Sequence, residues 1–257
     1  KALVCFEGAL KIFLLLNGDN HPAVATSYSY IGQIYFAQND YSKALDYFKK
    51  SLNLDLSFFG ENHPEVASGY YNIGYVYFAQ GDYSKALEYF EEVLKIRLSV
   101  YGENHSRVAS VYNDIGEIYS VQGDDFKALD YFKKSLKIVL SVYGENHSQV
   151  SSIYDHIGEI YFAQKDYSKA LYYFEESLKI RLSLFGENHP EVALSYYSIG
   201  SLYIIQGDKS KALNYYEKSL KIRLSVYGEN HPLTKEIMDL INVAANSKVL
   251  QSPETTK

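Results

Sequence analysis

Residues 83–105 read YSKALEYFEEVLKIRLSVYGENH and residues 167–189 read YSKALYYFEESLKIRLSLFGENH, with 19 of 23 positions identical. The two stretches lie 84 residues apart, twice a period of 42 that runs through the chain. His21, His63, His105, His147, His189 and His231 mark that period, and no insertion breaks its register. Asp40, Asp82, Asp124, Asp166 and Asp208 keep it too, as do Gly32, Gly74, Gly116, Gly158 and Gly200, and Ala44, Ala86, Ala128, Ala170 and Ala212. Self-similarity at a fixed period of this size marks an array of supersecondary units, each burying its apolar face on its neighbours.

Within one unit, Val66, Tyr70, Ile73, Tyr77 and Phe78 recur at three- and four-residue steps, the spacing of a helix. Gly81-Asp82 interrupts the pattern, and Ala86, Leu87, Phe90, Leu94 and Leu98 begin a second one. Gly102 then suits a left-handed C-terminal cap. Two starts fit the first helix: Pro64 as its first residue, or a capping box from Asn62 and Glu65 that begins one residue earlier. Each unit is therefore two helices of about 17 to 18 residues, roughly 26 Å long at 1.5 Å per residue.

The ends fit the same frame. Laying Lys1 on Lys43 puts Ala2 on Ala44, Phe6 on Phe48 and Leu10 on Leu52. The apolar run 2–16 is thus half a repeat, and Glu7 and Lys11 interrupt it well short of the about 20 apolar residues that span a bilayer. The array is expected over residues 1–246: a half-repeat at 1–20, five full repeats at 21–230 and a C-terminal capping helix at 231–246. A flexible tail is expected at 247–257. The chain starts without Met, and a longer parent is expected.

Composition narrows the function classes. The 257 residues carry 25 Lys plus Arg against 31 Asp plus Glu, a net charge of −6. Binding dominated by phosphate neutralisation needs the opposite balance, so no nucleic-acid partner is expected, and no membrane. One cysteine, Cys5, excludes a disulfide framework and suits a reducing, cytoplasmic setting. Near the chain start it reads as a small core residue. No P-loop, G-x-S-x-G elbow, H-E-x-x-H or dinucleotide fingerprint occurs, and the expectation is no enzyme and no cofactor. The six loop histidines lie a whole repeat apart, too far for shared zinc bonds of about 2 Å, and read as structural. His156, mid-helix beside Asp155, reads either as a packed side chain or as a local titrating switch.

The spacing Tyr70-x2-Ile73-Gly74-x2-Tyr77 followed by Ala86-x3-Phe90 resembles the tetratricopeptide repeat (TPR), with Tyr for the usual Trp. It returns at Tyr28, Tyr112 and Tyr154, and the fifth copy ends in Tyr216 where Phe is expected. HEAT and armadillo repeats share the period range without this Gly and Ala at fixed offsets. The added length over 34 residues and the loop Gly-x-x-His-Pro-x-Val-Ala, at Gly60–Ala67 and Gly186–Ala193, resemble the kinesin-light-chain class of TPRs. The resemblance implies an all-α, right-handed superhelical solenoid of antiparallel helix pairs, about 12 helices in all. Its inner groove would bind peptide segments of partner proteins, making the chain a non-catalytic scaffold. The alternative is a sensing or autoinhibitory module of a larger enzyme or signalling ATPase.

Carried over position by position, the groove would be lined by Gln33, Phe36, Tyr71, Asn72, Tyr75, Phe78, Asn113, Asp114, Glu117, Asp155, His156, Glu159, Phe162, Tyr197 and Ile204. None is Lys or Arg, which argues against the TPR clamp for C-terminal carboxylates. The family's groove Asn is matched by Asn72 alone, with Tyr30, Asp114, His156 and Ser198 in the other copies. Four carboxylates at mid-array and aromatic or aliphatic ends predict a ligand with apolar anchors and basic character. End-to-end self-association through the half-repeats is a further expectation.

Halfway along each second helix, Lys49-Lys50, Glu91-Glu92, Lys133-Lys134, Glu175-Glu176 and Glu217-Lys218 nearly alternate in sign. Two readings fit: a solvated face, or a guard against slipped stacking of near-identical repeats.

Overall fold

The loop histidine settles where each first helix starts. In the computed structural model, which describes residues 2–246, His63 is the N-cap of a helix that begins at Pro64. Its Nδ1 accepts the backbone N–H of Glu65 at 3.2 Å, and its ring stacks on Phe59 of the preceding helix at 4.1 Å. The same cap recurs at His21, His105, His147, His189 and His231. A side-chain acceptor at this place satisfies one of the amides the first helical turn leaves unpaired. Glu65 therefore contributes its backbone amide, and no Asn62–Glu65 capping box forms.

Twelve helices follow among the described residues. They are α1 (Ala2–Asn17), α2 (Pro22–Ala37), α3 (Tyr41–Phe59), α4 (Pro64–Ala79), α5 (Tyr83–Tyr101), α6 (Ser106–Val121), α7 (Asp125–Tyr143), α8 (Ser148–Ala163), α9 (Tyr167–Phe185), α10 (Pro190–Ile205), α11 (Lys209–Tyr227) and α12 (Pro232–Asn246). First helices of full repeats have 16 residues and second helices 19, bracketing the 17 to 18 expected. The expected tail, 247–257, lies outside the described residues.

Each hairpin turn repeats one device. Asp82 caps α5 by accepting the Lys85 N–H at 3.3 Å, pairs with Lys85 Nζ at 2.6 Å, and that ammonium lies 5.0 Å from the Tyr77 ring centre. The residue before it needs positive φ: Gly81 at 78°, and Asn39 and Lys165 at 60° and 62° in the equivalent turns. At the other end of α5, Gly102 has φ 78° and ψ 170°. The positive φ agrees with expectation, but the extended ψ makes this no αL cap; it swings the chain out toward the next histidine.

The helices fall into two compact units, Lys1–Val142 and Tyr143–Lys257. In the first, α1 to α5 each pack on the next helix in sequence; in the second, α8 to α11 do the same. Ala44, Ala86, Ala128, Ala170 and Ala212 are fully buried. A Cβ added at Gly32, Gly116, Gly158 or Gly200 would come within 2.8 Å of the Phe48, Phe132, Phe174 or Tyr216 ring. Tyr216 keeps its place in the core because its hydroxyl lies 3.1 Å from Ser201 Oγ. Stacked pairs such as Tyr77–Tyr89, at 5.5 Å, continue the aromatic layer toward the turns.

Cys5 is exposed, against the core reading. Its helix packs on α2, and the remaining face of α1 shows Val4, Ile12, Leu15 and Leu16, the surface on which the self-association expectation rests. The alternating charge pairs are exposed, apart from the half-buried Glu176. Ion pairs on this face run within a helix, Lys50–Asp46 and Lys134–Asp130 at 2.7 Å, which favours the solvated reading.

Candidate functional site

Phe36 and Phe78, on successive first helices, are partly buried against the hairpin core, and Tyr75 stands beside them at its edge. Phe36 meets Tyr75 edge-on at 5.9 Å, and Tyr75 meets Phe78 at 6.0 Å. Tyr75 remains 41% exposed, so part of a large ring faces solvent with no covering residue. Gln33, Phe36, Phe48, Tyr71, Asn72 and Tyr75 enclose a hollow of about 220 Å³. Beside it lies a cleft of about 560 Å³ that shares Gln33, Tyr71 and Asn72 and continues to Ser29, Asp55, Glu65 and Arg97.

Polar contacts tie the floor of this region to α6. The Tyr71 hydroxyl lies close enough to the Asp114 carboxyl for each to shift the other's proton affinity. Arg97 lies over the Tyr71 ring at 5.3 Å and donates to Arg107 O at 2.8 Å and Ser110 Oγ at 2.9 Å. Asn113 Nδ2 donates to Glu117 Oε1 at 2.6 Å. Asp114 Oδ2 is buried without a donor. Burial, then the nearby Glu117 charge, push Asp114 up to about 7, while Tyr71 and Arg97 pull it down. Burial raises Glu117 as well.

This carries a pH dependence. The folded Asp114 holds its proton to a pH well above the unfolded value near 4, so between these values the folded chain binds more protons and stability falls as pH rises. Chemical denaturation at pH 5 and pH 7.5 should show the loss, and Asp114→Asn should reduce it, leaving the variant on the order of 1–3 kcal/mol more stable than wild type at pH 7.5. Equal pH slopes in the two proteins would contradict the assignment. Asp55, raised to about 6 by burial and then by Glu65, contributes to the slope that remains, together with the raised Glu117 and Asp155.

In the second unit the expected residues surround a different centre. Arg181 of α9, 4% exposed, reaches Asp155 Oδ2 at 2.7 Å, Glu191 Oε2 at 3.1 Å and Ser195 Oγ at 2.8 Å. Burial raises Asp155 and Arg181 counters the rise. Burial, then the Arg181 charge, lower His156, which holds it neutral and removes the titrating-switch reading near neutral pH. Glu159 is exposed, and Phe162 packs edge-on against Tyr167 at 6.0 Å. Tyr197 lies under Arg223 at 5.0 Å and donates to Glu236 at 3.1 Å. Ile204 is half-buried. Gln33 to Glu117 thus belong to the first unit and Asp155 to Ile204 to the second.

Reading first helices alone left out Asp55, Arg97, Arg181 and Arg223, which reach these surfaces from the second helices. One position carries the signal: it reads Asp55, Arg97, Val139, Arg181, Arg223, a charge within an apolar run in four of five copies. Among the described residues no group of three or more His, Cys, Asp or Glu is placed to hold a metal ion, and no helix is long and apolar enough to cross a membrane.

A family model described as tetratricopeptide repeat matches residues 1–57, 52–99, 65–141, 107–183 and 150–225. The chain belongs to the tetratricopeptide-repeat family, and its fold is an all-α TPR solenoid. Among solved structures it is similar to BtubC (BKLC) from P. vanneervenii, with TM-score 0.76 and 22% identity over 90% of this chain and 92% of that one. It is also similar to a kinesin-light-chain-type protein of Podosopora anserina with nearly identical TPR-like repeats: TM-score 0.68, 16% identity, 80% and 97% covered. A third is the Rap conjugation gene regulator of plasmid pLS20, solved in complex with the Phr* peptide: TM-score 0.68, 16% identity, 89% and 60% covered. At these identities the likeness is one of fold. No curated protein sequence matches the chain.

Proposed function

We propose that this chain is a non-catalytic protein-interaction scaffold, working in a reducing compartment such as the cytoplasm, that binds peptide segments with apolar anchors and basic character. The observation that carries this reading is the aromatic hollow of the first unit adjoining a cleft with two carboxylates, Asp55 and Glu65. An apolar side chain seated against Phe36 and Tyr75 would place the next part of an extended peptide in the acidic cleft. The Phr* peptide held by the Rap regulator supports the reading by fold alone. The same surface would serve a sensing or autoinhibitory module of a larger enzyme, and a nucleotide-binding motif in flanking sequence would favour that use.

Arrays of ten-residue peptides test it. Wild type should retain peptides pairing a large apolar residue with Arg or Lys, and Tyr75→Ala should weaken retention about tenfold, as loss of a partly exposed aromatic anchor does. Glu117→Gln with Glu159→Gln should reduce the preference for basic over acidic sequences. Equal retention of acidic and basic peptides by wild type would overturn the charge assignment.

A further inference from the structure

The second unit shows how this fold holds a guanidinium. Arg181 is clasped by Asp155, Glu191 and Ser195 at 2.7, 3.1 and 2.8 Å. Three periods earlier, the same repeat positions are Asp55 for Arg181, Ser29 for Asp155, Glu65 for Glu191 and Gly69 for Ser195. The acceptor Glu65 is retained, the cation gives way to a second carboxylate, and the serine becomes glycine. Where Arg181 fills the space with a long side chain, the shorter Asp55 and the bare Gly69 line the cleft of about 560 Å³.

Asp55 is only 8% exposed, and no cation among the described residues lies within ion-pairing distance of it. The nearby Ser51 hydroxyl donates to Ala25 O at 2.8 Å. Burial and then the like charge of Glu65 lift the Asp55 carboxyl to about 6, and Ser51 offsets part of that rise. Arg97 also borders the cleft, but its guanidinium is engaged by Arg107 O, Ser110 and the Tyr71 ring. A buried carboxylate is costly unless a cation answers it, and the geometry of two carboxylates across an open cleft fits the planar, multi-donor guanidinium.

We propose that the cleft between α2, α3 and α4 receives one arginine side chain of a bound peptide, its guanidinium held between Asp55 and Glu65 as Arg181 is held in the second unit. The assignment rests on the scaffold reading for where the arginine comes from, while the site itself can be tested without any peptide.

N-acetyl-arginine-amide and its neutral counterpart N-acetyl-citrulline-amide are titrated into the full chain and followed through the backbone amide signals of Asp55, Glu65 and Gly69. The arginine derivative should give saturable shifts at all three, the citrulline derivative none. Asp55→Asn and Glu65→Gln should each weaken the response about tenfold or more, the usual scale for one lost charge-assisted contact. Circular dichroism on the variants should show unchanged helix content, since each change removes a like charge. Identical responses to the two derivatives, or no saturable response, would overturn the proposal. In parallel, peptides retained on the arrays are remade with citrulline for arginine, and binding should fall about tenfold or more. If they bind equally well, the site is wrong and the scaffold reading stands. If no peptide is retained while the arginine derivative still saturates the cleft, the site stands and the scaffold reading fails.

Discussion

Arg181→Leu should destabilise the chain by about 3–5 kcal/mol at pH 7, the usual cost of removing one partner from a buried ion pair. The guanidinium is 4% exposed and meets Asp155, Glu191 and Ser195, so its loss strands a carboxylate with only the neutral Ser177 hydroxyl left to oppose its rise. Glu191, with its side chain 46% exposed, can turn to water; Asp155, at 19%, cannot. The sign of the pH effect follows. Burial already raises the Asp155 carboxyl, and Arg181 is the first influence opposing that rise. Without it the folded state takes up a proton at higher pH still, and the variant should regain stability as pH falls from 7 toward 4. Denaturant midpoints across that range give the measurement, and a pH-independent deficit would refute the account. The third repeat carries Asn113 and Val139 at the same two positions. Asp155→Asn with Arg181→Val should accordingly recover most of the loss, because replacing both partners removes the stranded charge.

Gly116→Val should cost about 3 kcal/mol, the upper end for overpacking a close-packed core. A Cβ there would sit 2.8 Å from Phe132 Cε1, and valine adds two methyl groups beyond it. The ring has no free direction in which to retreat, since Phe132 is 0% exposed. The better helix propensity of Val over Gly returns only a few tenths of a kcal/mol. Hydrogen exchange should show α6 and α7 opening first, because in a repeat array strain acts on one hairpin and its neighbours. Phe132→Ala in the Gly116→Val background should cost less than the sum of the two single changes. Gly8→Ala is the control: nothing lies within 4 Å of its added Cβ, and stability should hold or rise slightly. A midpoint for Gly116→Val equal to that of Gly8→Ala would show the close approach to be relaxed at no cost.

Much of the fold was legible because the repeat states each local rule five times. Ala and Gly at fixed offsets carried the family resemblance, and contact distance fixes both residue types; the Asp that shares their period is the N-cap of the second helix, a role its spacing alone did not state. The histidine cap was less legible. Its spacing was plain, but Asn62, His63 and Pro64 all stand near the helix start, and only backbone geometry shows which side chain reaches an amide. Cys5 was misjudged because an apolar helical pattern says which residues share a face and not whether another helix covers it.

The site was half legible. The first-helix positions carried over from the family resemblance include Phe36, Tyr71, Asn72 and Tyr75, which line one hollow. They did not bring in Asp55, Arg97 or Arg181, because side chains from the second helices cross between hairpins at residue spacings the first-helix period does not contain.

By itself the sequence determined the unit, its helices and the family, since these depend on spacing within about forty residues and on the size of single side chains. Tertiary structure decided where charge is buried. One position carries an aspartate in the first full repeat, an arginine in the second and an arginine in the fourth. Only their placement beside Glu65, Tyr71 and Asp155 shows the first lining an acidic cleft, the second lying over a ring and the third locked in an ion pair. Electrostatic energy depends on separation and dehydration in three dimensions, and neither is a function of position along the chain.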